Sequence, residues 1–126
     1  MGELARLMSE VIWQLPNPSQ EFNQGPQILV SNGRVTLRWD HETEDGSYAW
    51  SSAEFVGVED AEFIAQDSCS PDHAEAYDRL LKIEPSARLE ALRGSGTKFL
   101  QHFRIYFDDI GCLEIVAEDF VPPAQP

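Results

Sequence analysis

The chain has 126 residues, 42% of them hydrophobic, thirteen aromatics and a formal net charge of −13, so it carries enough apolar mass for one packed core and is not an acidic disordered segment. Twelve of the 22 acidic residues (Asp40, Glu42, Glu44, Asp45, Glu54, Glu59, Asp60, Glu62, Asp67, Asp72, Glu75 and Asp78) lie between positions 40 and 78, a stretch without Lys or Arg. That balance opposes nucleic-acid binding, because phosphates would meet like charge with no basic stripe to offset it.

In chain order, the apolar residues Leu4, Leu7, Met8, Val11, Ile12 and Leu15 recur at three- and four-residue intervals, which predicts an N-terminal helix from Gly2 to Leu15 ended by Pro16. Asn17 to Pro26 is turn chemistry, with Phe22 as its one apolar anchor. Gln27–Val30 and Arg34–Trp39 flank Ser31-Asn32-Gly33, a pair of strands joined by a tight turn, with Val35, Leu37 and Trp39 on one face. His41 to Ser47 reads as an exposed connection and Tyr48 to Val58 as a long strand. Glu62 to Gln66 fits either a short strand or a loop.

Ser70-Pro71-Asp72 has the composition of a helix start, and the reading continues this helix to Ile83. A second helical segment runs from Ser86 to Arg93 and stops at Gly94-Ser95-Gly96. The last hairpin, Lys98 to Glu118, turns at Asp108-Asp109-Ile110-Gly111. A type I turn with Gly111 at the bulge sets Asp108 opposite Cys112, Phe107 opposite Leu113 and Ile105 opposite Ile115. The large apolar residues then share one side, leaving His102, Arg104, Tyr106, Glu114, Val116 and Glu118 on the other. Val121 to Pro126 is a Pro-rich tail. The expected architecture is a single α+β domain over residues 1–120, an antiparallel sheet of five or six strands with the N-terminal and central helices on one face.

Several arrangements invite chemistry. Acids alternate from Asp40 to Gly46 as at the start of a calcium loop, but Asp45 and Ser51 stand where such a loop has Gly and Glu. Cys69, His73, Cys112 and His102 supply the residue types of a Cys2His2 zinc site, yet the hairpin register sets His102 and Cys112 too far apart along the sheet. Cys69 at a helix start has the setting of a reactive thiol, with no partner selected by the sequence. No metal ligand set, cofactor or catalytic residue is therefore expected. The face of His102, Arg104, Tyr106, Glu114 and Glu118 is the best candidate for acid–base or ligand-binding chemistry, and cross-strand charge pairing accounts for the same residues.

The acidic segment reads as a binding surface for a basic protein. Asp40, Glu42, Glu44, Asp45, Glu59 and Asp60 would steer the partner, and Tyr48 and Trp50 would anchor it. This requires the acidic connections to gather on one side of the domain; scattered acids would serve solubility instead. No run is long enough to span a membrane, and the first residues carry no signal-peptide core, so a cytoplasmic location is expected. The closing stretch Phe103–Phe120, following an acidic Trp-containing meander, resembles the C-terminal hairpins of small acidic bacterial immunity-type proteins. That resemblance implies a non-enzymatic, toxin-neutralising function and assigns no individual residue.

Overall fold

The computed structural model describes residues 9–92 and 99–123. Seven strands form one antiparallel sheet: β1 (Glu10–Gln14), β2 (Gln27–Ser31), β3 (Arg34–Glu42), β4 (Tyr48–Ala65), β5 (Arg79–Lys82), β6 (Gln101–Phe107) and β7 (Gly111–Val121), in the spatial order β1-β5-β6-β7-β4-β3-β2. Among the described residues the α-helices are short, α1 over Pro71–Ala74 and α2 over Ala87–Leu92. The expected α+β fold is thus corrected to a sheet-dominated one.

Three local readings change with it. Glu10–Gln14 of the expected N-terminal helix is strand β1, where Trp13 turns toward the core while Val11 and Ile12 stay exposed; the part of that helix before residue 9 lies outside the described residues. Val-Ile-Trp is a strand-forming run, and pairing with β5 decides its conformation. The expected Pro71–Ile83 helix lasts one turn, because Asp78 takes a left-handed φ of 56° and Arg79–Lys82 enters the sheet between β1 and β6. The second helical segment is present as α2. The long strand runs on through the ambiguous Glu62–Gln66 stretch as far as Ala65, passing a bulge between Val58 and Asp60. Gly57, at φ 63°, takes a left-handed conformation beside that bulge.

Although β1 and β3 are far apart in the strand order, the rings of Trp13 and Trp39 lie 5.7 Å apart and those of Trp13 and Phe120 5.2 Å apart. A flat sheet cannot make these contacts, so the sheet is rolled and its concave face is the core. Val35, Leu37, Trp39, Phe55, Leu80, Phe103, Ile105, Phe107, Leu113 and Ile115 fill that core. They follow the period-two alternation of their strands.

Residues 15–26 connect β1 to β2, the two edges, and so cross from one side of the roll to the other. Two aspartates pin this linker. At one end Asp78 accepts the backbone N–H of Ser19 at 3.2 Å and its hydroxyl, and Ser19 Oγ in turn accepts the Asp108 N–H at 2.8 Å. At the other end Asp40 accepts the backbone N–H groups of Asn23, Gln24 and Gly25 at 3.1, 2.7 and 2.8 Å. Phe22 packs on Phe107 between the two pins.

The convex face is divided. Behind β5, β6 and β7 it is covered by α1, α2 and their connections, where Leu81, His102, Glu114 and Val116 are buried, while the second half of β4 stays largely exposed and β2, β3 and the first half of β4 present much of their outward side to solvent. Hairpin β6–β7 keeps the predicted division into apolar and polar sides. Its register differs by two residues: Ile105 faces Leu113, Tyr106 faces Cys112 and Arg104 faces Glu114. Asp109 takes a left-handed φ of 56° within the turn, so the strands pair up to Phe107 and Gly111.

Candidate functional site

Two regions carry the candidate residues. The first is the tip of hairpin β3–β4. Glu42 is paired directly with Tyr48, and Asp40 with Trp50. Opposed residues on neighbouring strands share a face, so Tyr48 and Trp50 stand together on the open convex side. They are 48% and 38% exposed, and Arg38 lies over the Trp50 ring at 4.7 Å. The loop beyond is rigidified by Asp45, whose carboxylate accepts bonds from the Thr43 and Ser47 hydroxyls at 2.5 and 2.6 Å. These bonds, first Ser47 and then Thr43, hold the Asp45 carboxyl down at about 2. Glu42 and Glu44 are exposed beside it.

Asp40 starts from the same face as its partner Trp50 but is not exposed on it. It is buried, at 1% exposure, and its carboxylate is spent on the linker. Burial acts to raise its pKa, and the N–H donors of Gly25, Gln24 and Asn23 outweigh that and lower it. Glu59 and Asp60 also fall away from the tip. Tyr48 and Asp60 are twelve positions apart on one strand, roughly 40 Å at about 3.3 Å per residue, and Asp60 and Glu62 clamp Arg88 of α2. Glu54 pairs with Arg34 at 2.9 Å. The acids therefore do not form one continuous surface; several hold the fold together, and the exposed tip is a smaller site than the segment.

The second region is the covered half of the convex face, centred on Glu114, which is 1% exposed. Its Oε1 is 2.5 Å from His102 Nε2, and its Oε2 accepts the Arg104 Nε–H at 2.6 Å and the Cys112 thiol at 3.3 Å. His73 of α1 approaches the same Oε2 with Nε2 at 3.6 Å. On its far side, His102 Nδ1 is 2.6 Å from Ser86 Oγ, and Ser86 Oγ accepts the Leu89 N–H at 2.9 Å, capping the start of α2. Cap, histidine and carboxylate thus tie the helical cover to the sheet.

Electrostatics follow from this geometry. Burial would raise the Glu114 pKa, but the bonds from His102 and Arg104 prevail and bring it down to about 2. Burial and the neighbouring carboxylate push the Cys112 thiol well up, and burial raises Cys69. Both shifts work against the thiolate form, which runs counter to the reactive-thiol setting considered for Cys69. Among the described residues every buried side-chain nitrogen or oxygen has a hydrogen-bond partner.

Of the candidate face, His102, Arg104 and Glu114 come together as the sequence suggests. Tyr106 sits one pair further along, its ring 6.1 Å from that of Tyr77. Glu118 is exposed and outside the cluster. The solvated charge-paired face becomes a buried one. His73 and Ser86 are participants that strand pairing within the hairpin could not reveal, because they arrive from the α1 and α2 segments, and Cys112 joins them as the same-face neighbour of Glu114 on β7. The signal for Ser86 was its position ahead of a helical run. Comparison with protein-family models, curated proteins and solved structures returned no match.

Proposed function

We propose that this chain is a non-enzymatic binding protein that docks a basic protein partner through the tip and open face of hairpin β3–β4. The observation that carries this reading is the pairing of Glu42 with Tyr48 on a solvent-facing sheet surface, next to exposed Trp50 and flanked by Glu44 and Asp45. Aromatic rings supply large, stiff contact area at low entropic cost, and carboxylates around them select a cationic surface and speed encounter by roughly 10- to 1,000-fold at low salt. The immunity-type resemblance gives the partner class: a toxin such as a nuclease, whose phosphate-binding cations would meet carboxylates in place of substrate. Acids with interior partners contribute to folding, and the rest favour solubility.

The other reading, an enzyme or ligand-binding domain on the His102, Arg104 and Glu114 face, meets groups that are covered and bonded to one another. Their arrangement supports a cross-link between helices and sheet. A panel of basic bacterial nucleases passed over the immobilised protein at low and high salt tests the docking reading. The expected result is association that weakens with salt and falls in Trp50→Ala; salt-independent association, or association unaffected by Trp50→Ala, counts against it.

A further inference from the structure

Donors that the docking reading leaves unused gather beneath α1. His73 Nε2, Cys112 Sγ and a Glu114 carboxylate oxygen all lie within 4.8 Å of one another. Two of these separations are 3.3 Å, from Cys112 Sγ to Glu114 Oε2, and 3.6 Å, from His73 Nε2 to the same oxygen. Ligand atoms at the usual zinc bond lengths of about 2.0–2.3 Å span tetrahedral edges of roughly 3.3–3.7 Å. Cys69 precedes His73 by four residues and lies beside the Cys112 backbone, its thiol 3.5 Å from both the Ile64 and Ala65 carbonyls.

We propose that these residues form a metal site for zinc or a similar divalent ion, with His73, Cys112 and Glu114 as ligands and Cys69 completing the tetrahedron by rotating its thiol off the two carbonyls. The hairpin register still keeps His102 from being a ligand, since it faces Val116 while Cys112 faces Tyr106. Glu114, lying between them, takes the place that a Cys2His2 pattern would have given to His102.

The surroundings suit such an ion. Each carboxylate oxygen has two acceptor positions, so Oε2 can keep the Arg104 N–H while binding metal, and His102 on Oε1 fixes the carboxylate from behind. The charge balance is even. One divalent ion enters and two thiol protons leave, so two thiolates and the Glu114 carboxylate face the ion and the Arg104 guanidinium with no net charge, as a buried site requires.

His73 must change tautomer. Its Nδ1 accepts the Ser70 backbone N–H at 2.8 Å, which places the proton on Nε2. To free Nε2, that proton moves to Nδ1 and is donated to Ser70 Oγ, 3.2 Å away, while the N–H of exposed Ser70 turns to water.

The test uses the reduced full chain titrated with Co2+ as the probe and then displaced with Zn2+. The site predicts one ion per chain, tetrahedral cobalt bands with a thiolate-to-cobalt charge-transfer band, and release of two protons per ion. His73→Gln should weaken binding at least tenfold, Cys69→Ser should lower the charge-transfer intensity by about half, and Cys112→Ser should lower it similarly. His41→Gln, which lies elsewhere, should change nothing. Because Cys112 is fully buried and its serine variant can lose the fold, His73→Gln and Cys69→Ser, nearer the surface and checked by circular dichroism, carry the test. No charge-transfer band in the reduced protein, or one unchanged in both of these variants, overturns the site. Neither result bears on the hairpin surface, which shares no residue with it.

Discussion

Asp40 and Asp78, 38 positions apart in the sequence, hold opposite ends of the same linker. Asp78 binds Ser19 where the linker leaves β1, and Asp40 binds the N–H groups of residues 23–25 where it enters β2. Both belong to the acidic segment, and here their charge is used to satisfy donors of a non-regular chain that has no ladder to join.

Asp40→Ala removes the shared acceptor of three linker N–H groups, and because Asn23 and Gln24 are open to water a loss of about 1–3 kcal/mol is expected. Asp40→Asn keeps one carbonyl oxygen and should lose less. The folded pKa of Asp40 is lowered, so its contribution is complete above the unfolded value near 3.8 and fades as pH falls through the folded one. Urea unfolding of wild type and both variants, from neutral to acid pH, measures this.

Trp13 and Trp39 report on the closure of the roll. Trp39→Ala should cost about 3–5 kcal/mol as a large deletion from the core. The double-mutant cycle with Trp13→Ala should return a coupling of about 0.5–1.5 kcal/mol, as for other aromatic pairs. A coupling near zero would mean that β1 does not reach β3 in solution.

Glu114 gives the cover of the convex face a pH signature. Its carboxyl is lowered from 4.5 to about 2 in the folded protein, which corresponds to roughly 3 kcal/mol at neutral pH. The sign follows from the lowered value: the contribution is present in full above 4.5 and is lost as pH falls toward 2. Glu114→Gln strands Arg104 beside a neutral amide and should cost about 3–5 kcal/mol at pH 7. Its stability should then fall less steeply in acid than that of the wild type.

How much of this was legible in the sequence depended on whether a residue's environment is local. The Asn32-Gly33 turn is at left-handed φ values of 46° and 75°, as its composition requires. The two faces of the last hairpin also survive, since an even shift of register leaves each side chain on its side. Trp13 and Arg79–Lys82 were misread because both belong to strands whose partners are distant: β1 pairs with β5, more than 60 positions on, and Leu80-Leu81 is too short a run to reveal its period. The Glu114 cluster was half legible, as His102, Arg104 and Glu114 sit on paired strands. Ser86 and His73 reach it through tertiary packing that no spacing encodes. Asp40 shows the opposite failure: a charged residue in an acidic run reads as surface, whereas the adjoining linker supplies three donors that draw it inward.

The central claim is that the hairpin tip, rather than total charge, captures a basic partner. Its most direct test compares Glu42→Gln/Glu44→Gln with Glu10→Gln/Asp67→Asn, two double variants with the same change in net charge at different places. Association with a basic nuclease that binds the wild type is measured at low salt for each. The account predicts that the tip variant associates roughly tenfold more slowly, with a flatter salt dependence, while the distal variant stays near the wild-type rate. Equal slowing of both, or of neither, would contradict it.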